Sequence, residues 1–390
     1  MKIALVGPIS LELISELVEG GENLPDGYQY PLAAYLVRSL LAAGQQVAVV
    51  TSVVEVNQPQ SWYGKNIEIH VTPRRRHYVF CFDFYWKERA VLVRAIANSR
   101  PDVVHAQWTY EFAHAAKASG FPYLVTARDS PRQILRHMKS PYRLFRYIYA
   151  SWLIPKINWI TAISPYMANE LTAAFRLKRE PLIVPNGLDY NLYVEEKALT
   201  RKDTIRKLVT VSGWDPRKNV KNLLRAFSVV RSLKPDLELT LIGHSLGEGG
   251  PAMSWAKEHG LKEGVVFRGA LSHAEALAAI RNDADIFIHT TLEESFGMSI
   301  LEAMAQGKAV VAHQDAGAVP WLLQEGAGVL TDCLDPSAIA STILGLVNDP
   351  DQVYEVEGKA LQRARDHFRM SVVAEKYIQV YGEVLADAKS

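Results

Sequence analysis

The sequence has little cysteine, little net charge and no long apolar run. Only two cysteines occur in 390 residues, Cys81 and Cys333, so we expect neither a disulfide framework nor a cysteine-based metal site. The formal net charge of +1 gives no overall reason to expect nucleic acid as a partner. No run of about 18 apolar residues occurs, and residues 1–8 are broken too early by Gly7 and Pro8 to form a signal peptide. We therefore expect a cytoplasmic protein, with any membrane contact peripheral and at the inner membrane face.

Length and patterning predict two domains. A chain of 390 residues is too long for one compact core, and 48% apolar with 22% charged residues is typical of a folded globular protein. Residues 2–7 predict a buried strand. After an acidic, glycine-containing loop from Glu19 to Gly27, a helical pattern begins at Leu32 and ends at Gly44, and residues 46–51 predict a second strand. This order is typical of a parallel βαβ unit.

The same unit recurs along the chain. Further strands are predicted at 101–105, 122–126 and 159–163, and after a polar linker (195–206) at 208–213, 237–243, 265–267, 286–288 and 309–312. The fold class predicted is therefore α/β, with two tandem doubly wound, Rossmann-like domains. Ligands of such domains bind at the carboxyl ends of the strands, here facing an interdomain cleft.

One predicted strand–turn–helix segment, residues 284–305, carries a candidate site. The first N–H groups of a helix lack partners within the helix and form a seat for a phosphate. Glu294 precedes this seat and Glu302 follows about two turns later, so two carboxylates would lie beside a phosphate unless they bind sugar or ribose hydroxyls. The segment predicts a nucleotide-sugar site, and the alternative is an ordinary strand–turn–helix unit with acidic surface residues. The seat is formed by Phe296, Gly297, Met298 and Ser299.

These residues resemble a known signature. Glu-x7-Glu, with Ser-Phe-Gly after the first Glu and Ala after the second, is similar to that of the retaining glycosyltransferases of family 4, which have the glycosyltransferase B fold. The resemblance covers nearly the whole chain, and its motifs occur in the order of the family. They are Val184–Asp189, Lys218-Asn219, Leu241–Gly243, Val266–Gly269 and Glu302–Gly307.

The resemblance implies a function, and it implies a role for each domain and for individual residues. It implies a retaining transferase that moves a hexose-type sugar from a nucleotide-diphosphate sugar to an acceptor hydroxyl, by front-face attack, with no metal and no cofactor. Residues 1–190 would be the acceptor side, with a C-terminal helix (371–390) packing back on it, and residues 191–370 would bind the donor. Glu294 would hold the transferred sugar and Glu302 the ribose. Lys218 and Arg217 would hold the diphosphate, and the further substrate-binding candidates are Gly243, Arg128, Asn186 and Gly27.

Several positions depart from the family. Trp214 stands where an arginine is usual, Arg128 where a histidine is usual, His105-Ala106-Gln107 where His-x-His is usual, and Pro320-Trp321 where Pro-Glu is usual. Arg217 can supply the second cation, and the alternative is that Arg217 and Lys218 are a solvated pair at a helix start. Two other functions therefore stay open: a nucleotide-sugar epimerase of the same fold, or a non-catalytic nucleotide-sugar-binding protein.

Two acidic residues and a glycine-rich loop imitate other sites. Asp283-Ala284-Asp285 has the Asp-x-Asp form that binds a divalent cation in another glycosyltransferase fold, but it precedes a strand, and we expect no metal site there. The loop 243–250 imitates a dinucleotide fingerprint, but its spacing differs and we expect a loop beside the nucleotide.

Residues 132–156 alternate basic and aromatic side chains. With Arg74-Arg75-Arg76 they could bind an anionic membrane that carries a lipid-linked acceptor. The interpretation that we favour is a helix whose aromatic face packs in the core while its arginines stay in water. The acceptor is left open as a carbohydrate, a lipid-linked sugar or a small molecule, and so is the oligomeric state.

Overall fold

A computed structural model of the protein describes residues 1–76, 79–195, 197 and 199–389. The chain forms two compact units, Met1–Gly187 with the residues from Met370 onward, and Leu188–Arg369. These bounds differ by a few residues from the predicted 190/191 and 370/371, and the linker predicted at 195–206 lies within the second unit. Glu196 and Ala198 of that linker, and Ser390 of the predicted last helix, lie outside the described residues.

The first unit is built on one sheet. Its strands are β1 (Lys2–Val6), β2 (Gln46–Val53), β3 (Gln60–Tyr63), β4 (Ile67–Pro73), β5 (Val103–Gln107), β6 (Tyr123–Ala127), β7 (Ile160–Ala162) and β8 (Leu182–Ile183). The order in the sheet is β3-β4-β2-β1-β5-β6-β7-β8, and β3 alone of these strands is antiparallel to its neighbour. The central strands are almost entirely buried, as expected for a parallel sheet covered on both faces.

The helices of the first unit follow the strands. They are α1 (Pro31–Ala42), α2 (Trp86–Ser99), α3 (Glu111–Ala118), α4 (Pro131–His137), α5 (Pro141–Leu153) and α6 (Pro165–Ala174). Three of them begin with a serine cap followed by proline: the hydroxyls of Ser130, Ser140 and Ser164 accept from the N–H three residues on. Proline at the first position loses no helix hydrogen bond there, so these starts are sharply defined.

The orientation of α5 corrects one prediction. We expected the aromatic side chains of residues 132–156 to face the core and the arginines to face water. Tyr149 is buried and Arg132 and Arg136 are exposed, as predicted. However, Arg146 is buried, with its guanidinium 3.5 Å from the ring centroid of Tyr110, and Trp152 is 50% exposed. A guanidinium can be buried when it stacks on aromatic rings, and this stacking fixes which side of α5 faces inward.

The second unit is wound around an all-parallel sheet. Its strands are β9 (Lys207–Val211), β10 (Glu238–Ile242), β11 (Val265–Gly269), β12 (Ile286–His289), β13 (Ala309–His313) and β14 (Val329–Thr331), in the order β11-β10-β9-β12-β13-β14. Its helices are α7 (Val220–Leu233), α8 (Pro251–Glu258), α9 (His273–Asp283), α10 (Met298–Ala305), α11 (Val319–Leu322), α12 (Pro336–Asn348) and α13 (Pro350–Phe368). The prediction of two doubly wound, Rossmann-like domains is confirmed.

The last helix, α14 (Met370–Asp387), belongs to the first unit and packs against α1. The hydroxyl of Tyr381 lies 2.7 Å from Nδ1 of His105, and that of Tyr377 lies 3.0 Å from Oγ1 of Thr126. The chain thus leaves the first unit and returns to it. Where the second unit begins and ends, the N–H of Leu188 donates to the carbonyl of Phe368 (2.9 Å).

None of the helices in the described ranges combines the length and apolar character of a membrane-spanning helix.

Candidate active site

The candidate site of the second unit lies where the strand order reverses. From β9 the sheet continues through β10 on one side and through β12 on the other. The loops that leave the carboxyl ends of β9 and β12 therefore start side by side, which is the usual ligand position in such sheets. The first loop carries Arg217 and Lys218, and the second carries Glu294.

Three charged or titratable side chains meet here, and we call Lys218, His289 and Glu294 the Glu294 cluster. Nζ of Lys218 lies 2.7 Å from Oε1 of Glu294, and Nε2 of His289 lies 3.3 Å from the same oxygen. Burial raises the pKa of Glu294, but His289 and Lys218 together outweigh burial and lower that pKa to about 2. The cluster therefore holds an ionised, largely buried carboxylate beside a fixed cation.

Backbone hydrogen bonds hold the two loops together. The N–H of Leu292 donates to the carbonyl of Arg217 (2.9 Å), and the hydroxyl of Thr290 donates to the carbonyl of Lys218 (3.1 Å). The guanidinium of Arg217 donates to the carbonyl of Glu293 (3.2 Å). The predicted pair of cations is thus held against the loop that carries Glu294, although Arg217 contacts a backbone oxygen and Lys218 contacts a carboxylate.

The start of α10 requires glycine. Gly297 precedes the helix with φ +99°, a conformation that L side chains rarely adopt. Phe296 is buried, with its ring 6.1 Å from that of Trp321 and 5.8 Å from that of Phe368. The side chain of Phe296 therefore packs in the core. The unusual Trp321 is part of that aromatic core.

Glu302 is not part of the Glu294 cluster and contacts a different histidine. Its carboxylate lies 2.8 Å from Nε2 of His273, at the start of α9, and the side chain is 15% exposed. The hydrogen bond that His273 donates to the Glu302 carboxylate raises the pKa of His273. The two predicted carboxylates thus have different partners, since Glu294 contacts Lys218 and His289.

Gly243 and Trp214 have structural explanations. Gly243 has φ +136°, and a Cβ there would lie 1.7 Å from the carbonyl oxygen of Ser212, so glycine allows the ends of β9 and β10 to approach. The ring of Trp214 lies 5.8 Å from that of Trp255 and 5.6 Å from Nζ of Lys221. Trp214 and Lys221 line a cavity of about 370 Å³ beside the start of α7. Being uncharged, Trp214 does not supply the charge of the family's arginine.

The first unit brings two other candidates together. Nε of Arg128 donates to Oε1 of the buried Gln107 (2.9 Å), and its Nη1 donates to Oδ1 of Asn186. The guanidinium lies 5.8 Å from the ring centroid of Tyr30. Arg128 and Asn186 are thus hydrogen-bonded to each other near the carboxyl ends of the strands of this sheet. His105 is buried below them, and burial lowers its pKa well below the usual range, so it is neutral at pH 7.

Gly27 packs against the backbone that follows β1. A Cβ there would lie 2.5 Å from the carbonyl oxygen of Ile9, which explains the need for glycine. Gly27 also lines a cavity of about 120 Å³ with Tyr28 and Arg74. The roles predicted for Gly27, Arg128 and Asn186 in substrate binding stay predictions.

The two aspartates of the Asp-x-Asp segment lie at the amino end of β12, opposite the end that carries Glu294. They precede β12, whereas Glu294 follows it. Asp283 pairs with Arg268 (2.9 Å), and Asp285 pairs with Lys202 (2.5 Å) and accepts from the N–H of Lys207. Among the residues that the structure describes, no three His, Cys, Asp or Glu side chains are grouped as metal ligands would be. The absence of a metal requirement stays a prediction.

Two histidines of this site were not predicted from the sequence. His289 ends β12 and His273 begins α9, and each contacts one of the two carboxylates. The position of His289 at the carboxyl end of a parallel strand was an available signal. His273 had none, because its contact with Glu302 joins residues distant along the chain.

Comparisons with known proteins agree with the fold and identify a family. Residues 194–365 match the family model for glycosyl transferases group 1, and residues 32–192 match that for glycosyltransferase family 4. An uncharacterized glycosyltransferase of Bacillus subtilis, YqgM, is 22% identical over 347 residues, covering 85% of this chain and 93% of that protein. Sucrose-phosphate synthase from Thermosynechococcus elongatus superposes with a TM-score of 0.74 at 20% identity, covering 99% of this chain and 100% of the other. Anabaena HepE, in complex with UDP and glucose, gives 0.69 at 18% identity, covering 98% and 99%.

Proposed function

The chain belongs to the group 1 and family 4 glycosyltransferases, and from this we propose that it transfers a hexose-type sugar from a nucleoside-diphosphate sugar to an acceptor hydroxyl, with retention and without a metal. The observation that carries the proposal is the Glu294 cluster. It places a cation and an ionised carboxylate next to the start of a buried helix.

Two members of the cluster, Glu294 and Lys218, each suit one part of such a donor. An ionised carboxylate accepts hydrogen bonds from sugar hydroxyls, and the pKa of about 2 keeps Glu294 ionised throughout the physiological range. A diphosphate gains negative charge as it leaves, so the ammonium of Lys218 and the dipole of α10 stabilise the transition state more than the ground state. The Lys218–Glu294 contact keeps both groups positioned before the donor arrives.

Glu302 suits the nucleoside end of the donor. Its carboxylate lies about one turn along α10 from the diphosphate seat, and it is partly exposed beside His273. A carboxylate that bridges two neighbouring hydroxyls is the common way to bind a ribose. Glu302 would therefore determine nucleotide affinity, whereas Glu294 would act on the sugar.

Retention is implied by the resemblance to the retaining family 4 transferases, and Glu294 is not suited to act as the nucleophile of a two-step mechanism. A carboxylate paired with Lys218 and His289, with a pKa of about 2, is a weak nucleophile and a weak base. We therefore propose front-face transfer. The bond from the anomeric carbon to the phosphate oxygen breaks, the bond to the acceptor oxygen forms on the same face, and the acceptor proton passes to the leaving phosphate.

A donor screen tests the proposal. The thermal unfolding of the protein is measured with UDP-, GDP- and ADP-glucose, because a ligand at a hundred times its Kd adds about 2.7 kcal/mol to stability. We expect one of the three to raise Tm, and Glu302→Gln to reduce that rise, while Lys257→Gln, at the exposed end of α8, leaves it unchanged. No shift with any donor would contradict the proposal.

Product analysis with the selected donor separates the alternatives. A transferase releases free nucleoside diphosphate, an epimerase converts the donor into a second nucleotide sugar, and a binding protein leaves the donor intact. Release of diphosphate that persists in EDTA supports the proposal. Conversion to an epimer, or an intact donor with every acceptor class, would contradict it.

A further inference from the structure

The first unit exposes an unusual number of large apolar side chains on one side. Phe82 is 91% exposed, Trp86 59%, Ile148 55% and Trp152 50%. Single exposed apolar residues are ordinary, but a contiguous group indicates an interaction surface. We call the surface formed by the turn 79–87 and the outer side of α5 the docking face.

The docking face is continuous. The ring of Phe84, in the turn, lies 5.5 Å from that of Phe145 and 6.2 Å from that of Tyr149, both on α5. Phe84, Ile148 and Trp152 also line one shallow cavity of about 460 Å³. The turn and the helix therefore present a single apolar surface.

This exposure follows from the way α5 is held. Leu144, Ile148 and Trp152 succeed one another at about one turn and form a stripe on the outer side of the helix. The inner side is fixed by Arg146, which stacks on Tyr110, and by the buried Tyr149. Rotating α5 to bury the stripe would expose Tyr149 and break the contact of Arg146.

The charge around the docking face has one sign. Residues 131–156 contain six arginines and lysines and no aspartate or glutamate. Asp83 in the turn and the buried Glu88 in α2 both pair with Arg75, at 2.8 Å and 2.6 Å. Nζ of Lys156 lies 3.5 Å from the ring centroid of Trp152, at the edge of the apolar surface. The six cations are Arg132, Arg136, Lys139, Arg143, Arg146 and Lys156. Arg146 is buried on the inner side of α5, which leaves five of them available to the surface.

We propose that the docking face binds the surface of an anionic lipid bilayer. Exposed phenylalanine and tryptophan surrounded by arginine and lysine is the composition of peripheral helices that enter the headgroup region. A stretch of cations that contains no carboxylate complements anionic lipid headgroups. This proposal goes beyond glycosyl transfer and does not depend on it, because no residue of the docking face is in the candidate active site.

Co-sedimentation of the full-length protein with vesicles tests the proposal. One set of vesicles contains phosphatidylcholine alone, and the other is enriched in phosphatidylglycerol. We expect binding to the second set, with little binding to the first, and a decrease with added salt because salt screens the charges. Absence of binding to both sets, or equal binding to both, would overturn the proposal.

Two variants locate the contact. Ile148→Gln/Trp152→Gln removes apolar contact, and we expect a loss of binding of about tenfold or more. Its matched control is Leu233→Gln, which removes a 62% exposed leucine from α7 in the second unit and should leave binding unchanged. Equal loss in the variant and the control would overturn the assignment.

A charge variant tests the same face without altering its apolar side chains. Arg136→Gln/Lys139→Gln removes two exposed cations, and each cation near an anionic surface accounts for about fivefold in affinity. Lys262→Gln in the second unit is the control. Size-exclusion chromatography of each variant distinguishes a protein partner: if Ile148→Gln/Trp152→Gln converts a dimer into a monomer while vesicle binding is unchanged, the face is a subunit interface and the proposal fails.

Discussion

Replacing Lys218 tests the proposed chemistry most directly, because Lys218 has a structural contact and a proposed chemical role. Nζ of Lys218 lies 2.7 Å from the carboxylate of Glu294. If the ammonium stabilises the leaving diphosphate, Lys218→Met should reduce kcat by about tenfold to a thousandfold, as expected for one preorganised donor. Loss of a hydrogen bond to a charged group should also weaken binding of the free nucleoside diphosphate, by about 1.5–3 kcal/mol.

The same substitution has a cost in stability that can be worked from the structure. The pKa of Glu294 falls from its usual 4.5 to about 2, which corresponds to about 3 kcal/mol of net stabilisation by its partners. His289 remains in the variant, so Lys218→Met should lower the free energy of unfolding by about 1–2 kcal/mol at pH 7. Because folding lowers this pKa, the stabilisation is present above pH 4.5 and is lost as the pH falls toward 2.

A double-mutant cycle with Glu294→Gln separates the two roles. In the stability measurement the two substitutions should be coupled, because an uncharged amide at position 294 leaves no buried charge without its lysine. In calorimetry of nucleoside diphosphate binding they should be nearly independent, because of these two residues only Lys218 is proposed to contact the diphosphate. Lys221→Met is the control, since Lys221 follows three residues later in the chain but lies against Trp214.

Two results would refute this reasoning. If Lys218→Met binds nucleoside diphosphate as tightly as Lys221→Met does, Lys218 does not contact the diphosphate. If Lys218→Met keeps normal turnover with a saturating donor, the cluster does not stabilise the leaving group. Normal turnover in Arg217→Met alone would mean that one lysine and the start of α10 are sufficient.

Three further predictions concern other parts of the second unit. Glu302→Gln should weaken binding of free nucleoside diphosphate while Glu294→Gln leaves it nearly intact and reduces turnover; equal losses in calorimetry would contradict the assignment of one carboxylate to each sugar ring. Transfer should continue in EDTA, and complete loss restored by manganese would show that Asp283 and Asp285, or other ligands, bind a catalytic metal. Burial raises the pKa of Glu357 from 4.5 to about 7, so its protonated form is favoured on folding and stability falls as the pH rises through that interval. Glu357→Gln should therefore raise Tm more at pH 8 than at pH 5, and an equal change at both would contradict this assignment.

Most strands of both sheets were predictable because fully buried parallel strands are short apolar runs, but β4, β8 and β14 were not predicted. β1, β6 and β12, for example, lie within one or two residues of their predicted positions. β3 was not predicted, because Gln60–Tyr63 is largely exposed at the sheet edge and has no apolar run. The sheet order was also not predictable in detail, since it is decided by pairing between residues distant along the chain.

The candidate site was predictable only where its residues belong to one continuous segment of the chain. Glu294 and Glu302 belong to one local segment, so their spacing alone placed them beside the start of α10. The contacts of His289 and His273 depend on how neighbouring segments meet. The inward position of Arg146 was missed because α5 has aromatic residues on both sides, and only stacking on Tyr110 decides between them.

The return of α14 to the first unit has a consequence for biosynthesis. Ribosomes deliver the chain from its N-terminus, and domains that are continuous in sequence fold as they emerge. The first unit is discontinuous: the buried His105 and Thr126 gain the hydroxyls of Tyr381 and Tyr377 only after the whole second unit has been made. The second unit, whose ends adjoin at Leu188 and Phe368, can therefore complete its fold first. A nascent chain truncated before α14 should therefore fail to fold its first unit, although that unit is synthesised first.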